Sequence, residues 1–410
     1  MKKFTQLERS WILYDVANSA FVLFATSVIP IYFAAIAPGQ NIVVAWGYAE
    51  TIASLVVALL MPILGSLADF QEQKKKFFMG FFFTGIITCF AMALPLSWLP
   101  FLVLYIITSI AISSTFTFYD AMLVDVTEDE RMNKVSSHGY AWGYIGSCIP
   151  FIFCIALIFA GPKLLGIETA LATRISFIIV ALWWLGFTIP LLKNYEQKYF
   201  KVHTPGEKLS PYKLFIDAAK EIIADKFILI FMIAYFFYID GVHAVISMAT
   251  SYGTSLGIDS TQLILALLLT QFVAFPSAII YSRLADKWGT LRGIKVAVLA
   301  YFLIVLFAAF FLNSAREFWI LAVCVGLFQG GIQALSRSYF GKIVPKEHAN
   351  QFYGFFQIFG KYSTVMGTFL VAIITQVSGN ASMGILSVAV LFIVGLIVLQ
   401  ILPKEKRLYV

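Results

Sequence analysis

Charged residues are scarce in this chain. Asp, Glu, Lys and Arg together make up 12% of its 410 residues, about half of the roughly 25% that is usual in soluble domains. Hydrophobic residues account for 60% of the chain, and the mean hydropathy is +0.87. A soluble fold could not bury that much apolar surface. The composition therefore excludes a soluble multidomain protein and indicates a protein whose solvent is lipid.

Several chemical motifs are absent as well. The chain has no Gly-x-x-x-x-Gly-Lys-Ser/Thr loop for a nucleotide phosphate, which disfavours an ATP-driven pump. Neither its four cysteines nor its four histidines have metal-ligand spacing. No Ser, His and Asp arrangement stands out as a nucleophilic triad. We therefore expect neither an enzyme nor a bound cofactor or metal.

Long apolar runs dominate the sequence instead. A helix that crosses a bilayer needs about 20 apolar residues, and the first run is too long for a signal-peptide core. Twelve such windows lie near 11–36, 43–68, 77–97, 99–122, 137–161, 175–192, 227–252, 262–285, 293–313, 317–341, 352–377 and 382–402. The sequence therefore predicts an all-α membrane protein with twelve transmembrane helices.

The basic residues are distributed unevenly between alternate loops. All but four of the 29 Lys and Arg residues fall on one side. Lys163, Arg174 and Arg316 fall on the other side, and Lys361 lies inside a span. Because basic loops stay in the cytoplasm, we predict cytoplasmic termini and a cytoplasmic central loop. The net charge of +7 is thus a topology signal, and nucleic acid is not expected as a partner.

The longest polar stretch divides the chain. We predict an N-terminal six-helix bundle at 1–192, a cytoplasmic linker at 193–226 and a C-terminal six-helix bundle at 227–410. In the linker, Ser210 and Pro211 have the pattern of a helix start, and the apolar residues after them recur on one face. We expect this amphipathic helix to lie on the membrane surface.

The two halves repeat short motifs. Leu-Ala-Asp ends in Asp69 after the second window and in Asp286 after the eighth. The fifth and eleventh windows open with similar runs around Gly139 and Gly354, at nearly the same offset. Parallel six-helix repeats are typical of transporters whose halves rock about a site at the membrane midplane.

These motifs resemble those of the major facilitator superfamily. Gly65-x-x-x-Asp69 with a following basic run is similar to that superfamily's loop between helices 2 and 3, although Phe70 stands where a basic residue is usual and no glycine precedes the lysines. A narrower resemblance, to the vacuole-effluxer-like branch, covers nearly the whole chain. It rests on WILYDVANSAF at 11–21, ILGSLAD at 63–69, GGIQALSRS at 330–338, IVP at 343–345, QFYGF at 351–355 and Gly-Lys at 360–361.

The resemblance implies a twelve-helix major facilitator fold and a secondary transporter. The best-described activity of the branch is export of amino acids from the yeast vacuole. We therefore expect export or exchange of a small polar metabolite such as an amino acid, coupled to protons. The alternatives are an exporter of an amphiphile, lipid or drug-like compound, a non-transporting receptor or scaffold, and a membrane-embedded enzyme. The expected setting is a monomer in the bacterial plasma membrane or, alternatively, in a eukaryotic organelle, with the small-molecule substrate, protons and bilayer lipid as partners.

Ionisable residues inside the windows are the first site candidates, because they are expensive to place in a membrane. Asp240 and His243 are three residues apart and share a helix face, where a carboxylate beside an imidazole can exchange protons. We take them as proton-coupling or substrate-contact residues, the alternative being a structural pair. Lys361 lies too deep to reach the membrane surface easily. It is expected to meet an acidic partner such as Asp240, or an anionic group of the substrate.

Asp15 and Asn18 repeat this spacing in the first half, with Tyr14 beside them. If the halves are related, the two pairs are expected to face each other across a cavity. Alternatively, Asp15 is a gate or a charge at a helix end.

Four amide side chains also lie at helical depth: Gln271, Gln329, Gln333 and Gln357. Amides in membranes either contact a polar substrate or cross-link helices, and for each one taken singly we favour cross-linking. Gln329 and Gln333 are four apart on the tenth window, which lines the cavity in the related fold. They are the substrate-contact candidates.

Charges near the inner helix ends are candidates for gating. Asp120 and Arg337 occupy similar positions in the two halves. With Asp69 and Asp286 they are expected to form a charge lattice that holds one conformation shut, the role that the resemblance implies for the loop aspartates. The charged run 125–131, which begins with Asp125, is expected to be a solvated loop.

Overall fold

The computed structural model describes residues 3–40, 42–202 and 210–402, and these are almost wholly helical. The helices are α1 Gln6–Ser27, α2 Ile29–Ile36, α3 Ile42–Ala68, α4 Gln73–Ala91, α5 Trp98–Val126, α6 Asp129–Leu164, α7 Thr169–Asn194, α8 Pro211–Ala224, α9 Lys226–Ser255, α10 Ser260–Trp288, α11 Thr290–Phe311, α12 Ala315–Ile343, α13 Ala349–Ser378, α14 Ala381–Ser387 and α15 Ala389–Ile401. Every predicted apolar window falls on one of these helices or on a consecutive pair.

Nine helices of the described part are long and apolar enough to cross a membrane. The pair α1 and α2, bent by 44°, would make a tenth span. α4 falls short because three lysines stand in its first turn, and in α13 the apolar helix found is the shorter Met366–Ser378. The all-α membrane fold is confirmed, whereas the number of twelve spans and the side of the termini stay predictions.

The chain forms two compact units. The first comprises Met1–Thr127, Trp142–Leu214 and Glu347–Gly354. The second comprises Glu128–Ala141, Phe215–Lys346 and Phe355–Val410. The start of α13 thus belongs to the first unit and the start of α6 to the second. The division into 1–192, 193–226 and 227–410 stays a prediction.

The same helix pairs recur inside both units. In the first unit α1 packs against α7, and α5 packs against α3 and α4. In the second unit α9 packs against α15, and α12 packs against α10 and α11. A buried tyrosine links α1 to α5 in the first unit and α9 to α12 in the second. Tyr14 donates to Thr115 Oγ1, and Tyr238 Oη pairs with Ser336 Oγ, both at 2.7 Å. This recurrence supports an internal repeat.

The linker helix α8 has one apolar face. Ala218 and Ile222 are buried, whereas Asp217 and Lys220 are exposed. The ring of Phe215 lies 5.6 Å from that of Phe355 in α13. The apolar face of α8 therefore contacts protein in the second unit, and its position on a membrane surface stays a prediction.

Candidate functional site

Asp240 is completely buried on α9, where α9 meets α13 in the second unit. Its Oδ1 accepts the main-chain N–H of Gly367 at 2.9 Å. A Cβ at position 367 would lie only 2.8 Å from this oxygen, so the absence of a side chain lets the carboxylate reach the backbone of α13. Asp240 Oδ2 has no hydrogen-bond partner among the described residues. Within the described part of the chain, only one of the two carboxylate oxygens is therefore bonded.

His243 lies one turn further along α9 and is half-buried. Its imidazole hydrogen-bonds the backbone of Gly360, again on α13. Asp240 and His243 thus use their shared helix face to contact the backbone of one neighbouring helix at two glycines. Lys361 follows Gly360, but its side chain lies outside the described residues. Its pairing with Asp240 therefore stays a prediction.

Gln271 of α10 and Gln329 of α12 line a small cavity in the second unit. The cavity has a volume of about 50 Å³, and most of its lining is apolar side chains of α9, α10 and α12. Gln329 is only 7% exposed, yet neither amide has a hydrogen-bond partner in the described part of the chain. Neither amide therefore cross-links helices within the described residues, and the role of Gln329 as a substrate contact stays a prediction. Gln333, one turn further along α12, is half-buried and is not among the lining residues.

Asp15 and Asn18 are buried on α1 of the first unit. α6 lies close to this part of α1 at Gly143. A Cβ at Gly143 would lie 2.8 Å from Ser19 Oγ and 3.2 Å from the main-chain oxygen of Asp15. Asn18 Oδ1 accepts from Ser19 Oγ at 3.3 Å, while Asn18 Nδ2 is buried without a partner among the described residues. Each unit thus has an unsatisfied polar atom on its first helix: a donor in the first unit and an acceptor in the second. Whether the two pairs face each other stays a prediction, as does a substrate role for Tyr14.

Asp69, the residue after α3, caps the start of α13 in the first unit. Its Oδ1 accepts the main-chain and side-chain N–H groups of Asn350, both at 2.8 Å, and its Oδ2 accepts the N–H of Gln351 at 3.1 Å. The helix dipole favours a carboxylate at this position. Burial raises the pKa of Asp69 to about 6, although the nearby Lys201 and Lys74 act to lower it.

Two glycines of the recognised motifs make this contact possible. A Cβ at Gly65 would lie 2.5 Å from the main-chain oxygen of Asn350. A Cβ at Gly354 would lie 2.7 Å from the main-chain oxygen of Met61. Side chains at either position would push α3 and the start of α13 apart, which explains why the motifs have glycine there.

Asp286 makes the corresponding contact in the second unit, with fewer bonds. It is exposed in the last turn of α10, and its Oδ1 accepts from Asn133 Nδ2 at 3.0 Å. Asn133 stands at the start of α6, at the same offset from Asn350 as Asp69 has from Asp286. The Asn133 side chain also bonds three further side chains of this unit: Thr290, Ser338 and Lys342.

Arg337 is held by the start of α6, also in the second unit. It is 3% exposed, and its Nε and Nη2 donate to Ser136 Oγ and to the main-chain oxygen of Ser136, each at 2.9 Å. Its guanidinium lies 4.2 Å from the ring centre of Tyr140. Asp120 is buried in the first unit. A charge lattice that joins these residues to Asp69 and Asp286 stays a prediction.

The first unit contains a buried ion pair that was not predicted from the sequence. Lys74 Nζ lies 2.6 Å from Asp125 Oδ2, and both side chains are completely buried. Tyr195 Oη donates to the same oxygen at 2.6 Å, and the N–H groups of Lys198 and Tyr199 donate to Oδ1. The expectation that Asp125 lies in a solvated loop is wrong, because α5 continues to Val126 and carries Asp125 into the bundle.

Residues 195–201, which we call the strap, run from the end of α7 to the loop between α3 and α4. The N–H of Lys201 donates to the main-chain oxygen of Asp69 at 2.7 Å, and Gln197 Nε2 donates to that of Ala68 at 3.2 Å. Lys201 Nζ donates to Gln351 Oε1 at 3.0 Å. One lysine therefore joins the end of α3 to the start of α13.

Comparison with known proteins assigns the family. A family model described as vacuole effluxer Atg22 like matches residues 41–408. The chain belongs to this family. An uncharacterised MFS-type transporter of Bacillus subtilis (strain 168), YxiO, is 42% identical to this effluxer-like chain over 415 residues, which cover 99% of this chain and 96% of YxiO. Autophagy-related protein 22-2 of Aspergillus clavatus is 26% identical over 303 residues, which cover 65% of this chain and 48% of that protein.

Solved structures share the fold. The major facilitator superfamily transporter FucP, in its outward conformation, has a TM-score of 0.76 at 14% identity, with 98% of each chain covered. The human organic anion transporter MFSD10 (TETRAN) has a TM-score of 0.76 at 13% identity, with 96% of the effluxer-like chain and 98% of its own covered. The major facilitator fold is therefore confirmed. Together with the family match and YxiO, it identifies a multi-pass membrane transporter rather than an enzyme.

Proposed function

We propose that this effluxer-like protein is a secondary transporter that moves a small polar metabolite, such as an amino acid, by alternating access coupled to protons. The observation that carries this proposal is the half-satisfied carboxylate of Asp240. An isolated carboxylate in a membrane-spanning helix is expensive, so it acquires a proton or a cationic partner. Gly367 holds Oδ1, which leaves Oδ2 available for a proton or for an ammonium group of the cargo.

The direction and location are proposed from the relatives. The family is described as vacuole effluxers, and the similar YxiO comes from a bacterium. We infer export or exchange across the bacterial plasma membrane. His243 contacts the same helix as Asp240 and is the second proton-coupling candidate.

Gating is proposed to use the contact between Asp69 and the start of α13. The three N–H bonds to Asp69, together with Lys201, attach Asn350 and Gln351 to the first unit. In an alternating-access cycle these bonds would have to break and re-form. The bond of Asp286 to Asn133 would have the corresponding role in the second unit.

The test is flux through the purified protein in liposomes. Efflux of preloaded labelled amino acids is measured with and without an imposed pH gradient, in the native protein, in Asp240→Asn and in the matched control Asp217→Asn, which alters an exposed aspartate on α8. We expect the gradient to accelerate efflux in the native protein and the control, but not in Asp240→Asn. Efflux that keeps its full response in Asp240→Asn would remove the assigned role. Binding without any flux would favour the receptor alternative.

One observation favours a second candidate, export of an amphiphile. A cavity of about 750 Å³ lies between α9, α13 and α14 in the second unit. Ser255, Gln376 and other polar residues belong to its wall, but its exposed surface is mostly apolar, from residues such as Met248, Phe369 and Ile385. Its volume and apolar lining suit a hydrocarbon chain better than an amino acid. Lysolipid efflux from the same liposomes, without amino acid efflux, would support this candidate.

A further inference from the structure

The cavity between Gln271 and Gln329 differs chemically from the surroundings of Asp240. It opens among α9, α10 and α12, where Val245, Ile246 and Ala249 form the α9 side. At 100° per residue, these residues lie on roughly the opposite face of α9 from Asp240. The cavity is therefore separate from the surroundings of Asp240. No lining residue is charged, and the lining includes two primary amides and one threonine.

Among the residues that the structure describes, the two amides have no hydrogen-bond partner. A primary amide offers two donors and one acceptor, and an amide without a partner inside a protein is costly. Thr270 cannot satisfy the amides as a donor, because its hydroxyl is directed at the main-chain oxygens of Ala266 and Ala322, at 3.1 and 3.2 Å. Gln329 is almost completely buried, whereas Gln271 is half-buried. Both residues line the cavity, so their amides are placed to bond a group inside it.

The cavity wall is preformed and fits a small group. A Cβ at Gly326 would lie 2.9 Å from the main-chain oxygen of Thr270, so α10 and α12 are in close contact beside the amides. The volume of about 50 Å³ is several times the roughly 10–15 Å³ that a cavity needs to hold one water. It therefore accommodates a small polar group such as a hydroxyl-bearing or carboxamide end.

The uncharged lining of the cavity indicates which chemical groups it can bind. A carboxylate or an ammonium group in an apolar cavity requires a counter-charge, and the lining provides none. Two amides satisfy a neutral group that both donates and accepts, such as a carboxamide or a hydroxyl. We infer that Gln271 and Gln329 form a subsite that binds a neutral hydrogen-bonding end of the transported metabolite. This inference rests on the proposed transport function and specifies its substrate class.

The test measures preference rather than rate alone. Initial uptake into liposomes is compared for L-glutamine and L-norleucine, which have side chains of similar length but differ in the terminal amide, and for L-glutamine and L-glutamate, which differ in charge. The variants are Gln271→Leu and Gln329→Leu, which keep the side-chain size and should fold in an apolar core. Gln71→Leu, at an exposed loop position, is the matched control.

The expected result is that the native protein and Gln71→Leu prefer L-glutamine to both analogues. Each cavity variant is expected to lower the preference over L-norleucine at least tenfold. An unchanged preference, or an equal slowing of all three substrates, overturns the subsite and leaves a cavity that holds only water. Flux of another amino acid with no uptake of L-glutamine overturns the subsite and keeps the transport function. An absence of flux for every amino acid overturns both.

Discussion

Asp69 and Asp286 end the same Leu-Ala-Asp motif in the two halves, yet their surroundings differ. Asp69 is 1% exposed and accepts three N–H bonds from the start of α13. Asp286 is exposed, and Asn133 donates one bond to it. Both aspartates bond an asparagine at the equivalent place in the repeat. The repeat therefore determines which residues meet, but not how strongly they are held.

The difference comes from what surrounds each aspartate. In the first unit the strap covers the loop after α3, and the Lys74–Asp125 pair anchors the strap through Tyr195. In the second unit the residue at the repeat position of Asp125 is Lys342, which donates to Asn133 Oδ1 at 3.1 Å. The residue at the repeat position of Lys74 is Leu291, so this ion pair has no counterpart at the equivalent positions of the second unit. The first contact is thus anchored by a buried ion pair, whereas the second relies on an asparagine network.

The largest effect is expected from removing that anchor. Lys74→Met leaves Asp125 buried without its cation, which costs about 3–5 kcal/mol. Arg292→Met, an exposed position near the start of α11, is the control from the second unit and is expected to change stability by less than about 0.5 kcal/mol. Thermal unfolding of the purified protein would measure the difference. Equal melting temperatures for the two variants would contradict the proposed asymmetry.

The next effect compares the two aspartates directly. Asp69→Ala leaves the N–H groups of Asn350 and Gln351 without their acceptor, and each unmade bond costs about 1–3 kcal/mol when buried. Asp286→Ala removes one exposed bond, worth about 0.5–1 kcal/mol. Hydrogen exchange at the main-chain amides of residues 350 and 351 should accelerate strongly in Asp69→Ala and stay near native in Asp286→Ala. Comparable exchange in both variants would show that burial does not strengthen the Asp69 contact.

The fold was predictable because lipid imposes a simple requirement. Each helix must cover its own backbone with about 20 apolar residues, so the windows could be located without knowledge of packing. The bend between α1 and α2 is consistent with Pro30 in the first turn of α2. Membership of the major facilitator superfamily could be recognised from the segments around Gly65 and Gln333, because glycines and polar residues at helix ends leave a pattern in the sequence.

The contacts of the site were less predictable. Asp125 was misjudged because a charged run after an apolar window usually marks solvent, and only the length of α5 buries it. The partner of Asp69 was missed because Asn350 is uncharged and distant in sequence. Asn133 and Asn350 are separated by the same number of residues as Asp69 and Asp286. This repeat was a signal that could have identified the partner. The unpaired state of Gln329 depends on three-helix packing, which periodicity does not contain.

Acidification should distinguish the two aspartates through the pKa of Asp69. An aspartate in an unfolded chain has a pKa near 3.9, whereas burial raises the pKa of Asp69 in the folded protein to about 6 despite Lys201 and Lys74. The folded state therefore binds a proton that the unfolded state does not, between about pH 4 and 6, so lowering the pH from 7 to 5 adds roughly 1 kcal/mol of stability from this group. Asp69→Asn cannot gain this increment. The native protein should thus gain more melting temperature on acidification than Asp69→Asn does, while Asp286→Asn should follow the native protein.

The smallest expected effect distinguishes the contribution of the Lys201 side chain from that of the strap's main-chain hydrogen bonds. Lys201→Met removes the Nζ bond to Gln351 but keeps the main-chain bond to Asp69, so a loss of about 1 kcal/mol is expected. Lys198→Met is the control, because Lys198 is exposed and its main-chain N–H to Asp125 remains. Faster hydrogen exchange at Gln351 in Lys201→Met alone would show that the side chain ties α13 to the strap. If both variants exchange like the native protein, the main-chain bonds and the buried ion pair hold this contact by themselves, and the asymmetry between the two units would rest on the Lys74–Asp125 pair rather than on Lys201.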